Sequence, residues 1–300
     1  MSVTDADRPV RTVARTTARV RRVGRTRQSV TALVAGVVVS LSLWEIVALF
    51  YAGRVDQPEY VMPDLRYAIL HGLPHLSDYY SGRLGGTPPS LGGEQTAWMG
   101  LLAIADNVLV SLYRLAAGLL GGVLIGVVGG LLLSWSRPMR GAFEGLANLS
   151  RMMPLLAMGP LFTLWFGANS IASIVFIVFC VAPIMLMATV TAVERLDADQ
   201  LAYARTLGAG RWKVWGWVVP RAIVPGVAGS FSVASVLAWS VLLASELWGI
   251  QEGIGWMMGQ ALGFTQIGAV MVIAAAFIVL TSATVQVFGA VARGLSHWAE

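Results

Sequence analysis

The feature that most constrains this chain is a run of 42 residues, Met152 to Val193, without a single ionised side chain. At about 1.5 Å rise per residue a helix of that length is twice as long as a ~30 Å hydrocarbon core, so the run must cross an apolar layer, turn and return. The polar, turn-prone Gly167-Ala168-Asn169-Ser170 marks the turn. Other uncharged stretches have spanning length: Gln28 to Trp44 (17 residues, extending past Glu45 to Tyr51), Leu115 to Ser136 (22), Ala222 to Ser245 (24) and Gly253 to Ala292 (40, continuously apolar from Ile267). An ionised group at the bilayer centre costs roughly 2.5–3.5 kcal/mol on insertion scales, which is why charge-free runs read as spans. The expectation is an all-α membrane protein with six transmembrane helices. Composition agrees, because 56% hydrophobic and 12% charged residues do not describe a soluble domain.

Basic residues set the expected orientation, since cytoplasmic loops retain arginine and lysine. The first 29 residues carry eight arginines; Arg137 and Arg140 fall in the loop near 137–146, Arg195, Arg205, Arg211, Lys213 and Arg221 in the segment 191–222, and Arg293 at the C-terminus. Tyr51 to Asp106 holds only Arg54, Arg66 and Arg83 against six acids. Both termini are therefore expected in the cytoplasm. The organisation reads as a basic cytoplasmic tail 1–29, a first transmembrane helix 30–51, an extracytoplasmic loop 52–106, a five-helix core 107–295 with a cytoplasmic loop at about 194–222, and a tail 296–300. A cleaved secretory signal at the N-terminus fits poorly, because the apolar stretch is too long and no A-x-A site follows it. The net charge of +5 is accounted for by the tail, so no nucleic acid is expected as partner.

Within the second span Gly118, Gly122, Gly126 and Gly130 recur every four residues, making one helical face that lets another backbone approach closely. Packing inside one subunit explains it most simply; a seam between subunits or a moving interface is the alternative. Glu45, Arg114 and Arg151 lie near the ends of spans, where snorkelling or local pairing accounts for them. Covalent chemistry finds no support: the sequence has no G-x-S-x-G and no HExxH, and Cys180 is the single cysteine. No metal site is expected, since His71 and His75 have no third ligand. The chain's one lysine, Lys213, precedes Val214 and cannot complete a G-x-x-x-x-G-K-[ST] phosphate loop. If ATP powers this protein, another chain hydrolyses it. A carrier driven by an ion gradient would need ionisable groups at mid-membrane, and the uncharged runs of spans two to six provide none.

The segment VERLDADQLAYARTLGAGRWKVWGWVVPRAIVPG, between spans four and five, resembles the cytoplasmic loop of the membrane subunits of binding-protein-dependent ABC importers. The motif there reads E-A-A, three residues, G, then a hydrophobic stretch ending in L-P. Ala202-Tyr203-Ala204-Arg205-Thr206-Leu207-Gly208-Ala209 falls on it and Val219-Pro220 on its end. The ordered segments SLYRLAAGLLGGVLIGVVGGLLLSWS, RMMPLLAMGPLFTLWFG and LLASELWGIQEGIGWMM extend the likeness over about residues 107–295 and look like the subgroup importing sulfonates, taurine and nitrate. Two departures stand out: Ala202 replaces the motif's acid, and Pro220 follows Gly208 by twelve residues rather than thirteen.

The resemblance implies a type I ABC importer permease fold and a set of partners: two cytoplasmic ABC ATPase subunits that bind ATP-Mg, a second permease copy or paralogue, and an extracytoplasmic solute-binding protein. It places the chain among membrane lipid in the cytoplasmic (inner) membrane, with no cofactor of its own and a small organic or inorganic anion as solute. It implies that Ala202, Ala204, Arg205, Gly208, Ala209 and Pro220 belong to an ATPase-coupling loop, whose short coupling helix seats in a groove of the ATPase. Glu246 matches an acidic family position near the outer end of span five, with a place in the translocation path or in structural pairing as its two readings. An amphipathic helix held at the membrane surface by Trp212, Trp215 and Trp217 is the competing reading of the loop. Tyr60, Tyr67, Tyr79, Tyr80 and Trp98 of the outer segment suit either a binding-protein contact or the membrane surface, and the second accounts for them more simply. The topology is open to test. With Cys180 replaced by serine, a cysteine at Ser90 should react with an impermeant thiol reagent from outside and one at Ala209 only from inside; labelling of both from one side would overturn the orientation.

Overall fold

The structure is a computed structural model that describes residues 20–135, 138, 141, 145, 155–196, 202–204 and 206–296. The basic tail up to residue 19, the expected site residue Arg205 and the charges Arg137, Arg140 and Arg151 lie outside the described residues. Every regular element among the described residues is helical. The chain divides between Leu65 and Arg66 into two compact units. The first contains α1, Val20–Ala52, whose apolar part Ala35–Ala52 has little of its surface covered. Glu45 accepts a hydrogen bond from the Leu65 amide (3.2 Å), and the Trp44 indole donates to the Pro63 carbonyl (3.0 Å), so a local pairing accounts for Glu45.

The second unit is built on α2 (Ala97–Trp135), α3 (Leu155–Phe166), α4 (Ser170–Glu194), α5 (Val219–Leu247, continuing a π-helical turn Val214–Val218), α6 (Ile254–Gly263) and α7 (Ile267–Ser296). Five helices among the described residues are long and apolar enough to cross a membrane: Ala35–Ala52, Ala97–Trp135, Ser170–Glu194, Arg211–Leu247 and Ile267–Val291. The remaining run appears as the shorter apolar helix Ala157–Phe166. The turn inside the 42-residue run falls at Gly167–Asn169. Gly167 has φ +83°, a backbone that suits glycine, and the Asn169 side chain caps α4 by accepting from the Ile171 and Ala172 amides at 2.9 and 3.1 Å.

The glycine stripe organises the second unit. A Cβ placed on Gly118 would come within 2.6 Å of the Ile177 side chain, on Gly122 within 2.7 Å of Val181, on Gly126 within 2.6 Å of Met185 and of the Ala182 carbonyl, and on Gly130 within 2.6 Å of Thr189. Both partners advance by four residues in the same sense, so α2 and α4 run parallel. Parallel neighbours oblige the chain to return between them, and α3 is the described part of that return. α5 lies antiparallel to α4, with Gly226 beside Ala192 at one end and the Ser245 and Ser173 hydroxyls 2.8 Å apart at the other. α7 lies antiparallel to α5 through Phe231–Phe288 and Trp239–Phe277. The core between these helices holds Leu115, Phe176, Ile177, Met185, Trp239 and Leu242, all essentially inaccessible.

The outer segment is ordered where its Gly, Pro and Ser content left secondary structure open. Residues 68–79 form a succession of short helical turns. Leu76 and Tyr80 pack with Ala103, Ile254, Met257 and Ile273, and the backbone at Gly72 meets that at Gly268 too closely to admit a side chain. Tyr79 donates to Gln266 Oε1 at 2.9 Å, with burial first and the Asp78 charge second raising its phenol above the usual range; Tyr80 donates to the Gly85 carbonyl at 2.6 Å. These tyrosines are structural, whereas Tyr60 and Trp98 are exposed. α2 starts at Ala97, eighteen residues before the uncharged run, because Asp106 and Arg114 interrupt the run without interrupting the helix. The seam yields a paired prediction. Gly126→Ala puts a methyl against backbone and should lower the melting temperature in detergent by several degrees, an overpacking cost of about 1–3 kcal/mol. Gly129→Ala, whose methyl meets only the movable end of Leu186 at 3.4 Å, should melt close to wild type; equal melting of the two variants would refute close packing at Gly126.

Candidate functional site

Two arrangements of polar and exposed groups stand apart from the apolar bulk. The first is buried where α2, α5 and α6 meet. On α2, Asn107, Ser111 and Arg114 follow one another at spacings of four and three, so they share a face. Arg114 Nη1 lies 2.9 Å from Glu246 Oε1, with the arginine 2% and the glutamate 0% exposed. Arg114 also donates through Nε to Ser170 Oγ (3.0 Å) and through Nη1 to the Glu252 carbonyl (2.8 Å). Ser111 Oγ lies 2.8 and 3.0 Å from the two Glu246 oxygens. The first amides of α6, which have no partners inside the helix, are met by side chains from elsewhere: Gly253 donates to Asn107 Oδ1 (2.8 Å), Ile254 to Ser111 Oγ (2.9 Å) and Gly255 to Glu246 Oε2 (2.9 Å). The carboxylate thus faces both a guanidinium and the positive end of a helix. A Cβ at Gly253 would overlap the Glu246 carboxyl group, and one at Gly255 would lie 2.7 Å from Glu246 Cβ. Glycine at both positions is what lets the loop close over the acid.

The node extends toward the outer segment. Ser81 donates to the buried Asp106 carboxylate, and Arg83 bridges Asp106 (3.5 Å) to Glu252 (2.9 Å). Of the two roles expected for Arg114, snorkelling and pairing, the buried arginine takes pairing. Arg114 and Glu246 directly flank the uncharged runs Leu115 to Ser136 and Ala222 to Ser245, and a paired, hydrogen-bonded charge costs far less to bury than a lone one. Sequence reasoning missed Asn107, Ser111, Asp106 and Glu252. The spacing of polar residues on one face of an apolar helix was the available signal.

The second arrangement is the loop before α5. Residues 202–204 and 206 are helical. The Leu207 amide donates to the Tyr203 carbonyl (3.2 Å) and the Ala209 amide to the Ala204 carbonyl (3.1 Å), while Gly208 has φ +79°. This is the helix-ending pattern in which a left-handed residue sends the following amide back five positions. Among the described residues nothing lies within 4 Å of a Cβ on Gly208, so its left-handed backbone is the described reason for glycine. Ala204 and Ala209 pack against a small cluster of Ala192, Val214, Val219 and Ile223, whereas Tyr203 and Leu207 are 68% and 71% exposed. Ala202 is exposed and Pro220 sits in the first turn of α5. Trp215 stacks on Trp135 (5.6 Å) and Trp212 lies tilted 4.8 Å from the same ring, so this tryptophan pair is tied to the end of α2.

The structure therefore keeps the described expected residues apart: the four glycines inside the α2–α4 seam, Glu246 in the buried node, Ala202, Ala204, Gly208 and Ala209 on the turn, and Pro220 in the first turn of α5. Among the described residues no three His, Cys, Asp or Glu side chains gather as a metal site. His71 lies stacked on Tyr67 at 4.8 Å.

Long apolar helices packed through glycine make up the bundle of a multi-pass membrane protein. The chain belongs to the family of binding-protein-dependent transport system inner membrane components, which matches residues 120–297. The family is one of transport permeases and not of enzymes. The taurine transport system permease protein TauC of Escherichia coli (strain K12) is 28% identical over 52% of this chain and 57% of its own length. The putative aliphatic sulfonates transport permease protein SsuC of Bacillus subtilis (strain 168) is 28% identical over 64% of this chain and 70% of its own. The match thus spans little more than half of the taurine permease. Among solved structures, two crystal forms of the MetNI methionine ABC transporter each contain a chain of the same fold at 18% identity: TM-score 0.56 over 64% of this chain and 95% of that one, and 0.57 over 67% and 99%.

The buried node predicts its own energetics. Glu246→Gln or Arg114→Met alone leaves a buried charge without its counter-ion and should cost about 3–5 kcal/mol, read as a large fall in melting temperature. The double variant should lose much less than the sum of the two. Additive losses would mean that the pair is not coupled.

Proposed function

We propose that this chain is the permease subunit of an ATP-driven importer of a small sulfonate-type or related anionic solute, working beside a second copy or paralogue. Two cytoplasmic ABC ATPases hold the ATP-Mg, and an extracytoplasmic binding protein delivers the solute. The observation that carries the reading is the turn at 202–209: a short helix anchored inward by Ala204 and Ala209, closed by Gly208, presenting Tyr203 and Leu207 outward. Large apolar side chains on a polar loop are unfavourable alone and favourable against a partner groove. Family membership and the taurine and sulfonate relatives support the class of solute.

Mechanistically, ATP binding draws the two ATPases together, and the turn passes that movement into α4 and α5, against which its alanines rest. The change matters only if the two states differ in affinity for solute or nucleotide. Glu246 takes the role of fastening α2, α5 and α6 together, since its carboxylate has no exposed surface for a solute to reach in this conformation. The buried ionisable pair also gives an ion-gradient carrier its one supporting observation. Uptake driven by a proton or sodium gradient without ATP would select that carrier.

Leu207→Asp separates docking from folding, because the side chain is exposed and not packed in the bundle. In proteoliposomes with the ATPase and binding protein, it should abolish transport and solute-stimulated ATP hydrolysis while leaving melting temperature and binding-protein docking unchanged. Gly208→Asn, which tolerates a left-handed backbone, should retain most activity. Full transport by the Leu207→Asp protein would sink the coupling assignment.

A further inference from the structure

Where α2, α5 and α7 meet, with Met185 of α4 at the base, the bundle carries an open groove of ≈ 410 Å³ whose lining among the described residues includes no ionisable side chain. It follows α2 from Ala116 to Val127 and α5 from Pro220 to Phe231, with Phe288 and Val291 of α7 on the third side. Eleven residues of helix rise ~16 Å, the depth of one leaflet, about half of a ~30 Å core. A spanning helix seeking a partner would need an apolar track of the full core thickness, and this groove stops halfway. Its two ends differ in chemistry. At the Pro220 end α5 carries exposed Arg221 in its first turn, and the chain before the proline holds exposed Trp217 and Lys213. The Arg221 guanidinium lies 4.8 Å over the Trp217 ring and donates to the Trp217 carbonyl at 3.3 Å. Tryptophan beside arginine and lysine is the composition found at headgroup depth.

We propose that this groove holds one acyl chain of an anionic phospholipid from the leaflet at its basic end, with Arg221 and Lys213 at the headgroup phosphate. An apolar channel one leaflet deep, opening beneath two cations and an indole, matches such a lipid in polarity, length and charge. Water in the groove would find no hydrogen-bonding partner along its walls. A zwitterionic lipid would fill the channel equally but gain less from the two cations. The inference does not depend on which solute is carried.

The test uses the full chain in detergent, offered equal amounts of phosphatidylglycerol and phosphatidylcholine with identical acyl chains, and native mass spectrometry of the complexes. Phosphatidylglycerol should be retained preferentially. Arg221→Gln should weaken its retention about fivefold and the double variant with Lys213→Gln about 30-fold, with unchanged melting temperature because both side chains are exposed. Phosphatidylglycerol with a photoreactive acyl terminus should form adducts within 116–127 and 220–231, a readout that needs no variant. Equal retention of the two lipids, unchanged retention in the double variant, or adducts confined to other segments would overturn the proposal. So would efficient disulfide cross-linking between two copies through Leu120→Cys in a Cys180→Ser background with loss of the adducts, since a second copy would then occupy the groove.

Discussion

The second unit depends on a buried ion pair that cannot be left half made. Arg114 and Glu246 both lie out of reach of water, and each is safe there only because every strong donor or acceptor around them has been supplied: two serines, an asparagine, a backbone carbonyl and the first amides of α6. In a low-dielectric interior the pairing energy and the penalty for breaking it rise together. The node therefore acts as a geometric specification more than as a source of stability. It fixes the end of α5 against the middle of α2 and fixes where α6 begins, and the close approach it demands is possible because Gly253 and Gly255 have no side chains.

The glycine seam does complementary work. Lipid is as apolar as leucine, so helices inside a membrane gain little by hiding apolar surface from one another and must gain by fitting closely. Four glycines in register with Ile177, Val181, Met185 and Thr189 bring α2 and α4 into close contact along about three turns. Because the two helices run in the same direction, this closest pairing is also the one that compels the chain to cross back through α3. Close packing at the seam, charge pairing at the node and aromatic contacts between α5 and α7 hold three different parts of the bundle by three different means.

The loop at 202–222 is where structure connects to the proposed function. In the turn at 202–209 small Ala204 and Ala209 face the bundle and large Tyr203 and Leu207 face away, the reverse of what a loop stabilised only by its own chain would choose. The turn rests on Ala192, Val214 and Val219, so under the proposed function a push on Tyr203 and Leu207 would reach the ends of α4 and α5. Trp135, gripped by Trp212 and Trp215, brings the end of α2 into the same contact.

Charge counting and periodicity in the sequence determined that this is a helical membrane protein, where most of its apolar runs lie, that the long run turns at Gly167–Asn169, and which glycines permit close packing. The ordered motifs carried the family as well. These are local properties: hydropathy, spacing and conformational freedom are written residue by residue. Only the tertiary structure decided that Arg114 is an interior residue, that it meets Glu246 from 132 positions away, and that Asn107 and Ser111 cap a helix belonging to a distant part of the chain. It also decided that Gly208 serves a left-handed turn with open space around it. The reason is the same in each case. A charge or a polar group is costly or harmless according to which partners surround it, and those partners are chosen by how the helices pack, which no single stretch of sequence specifies.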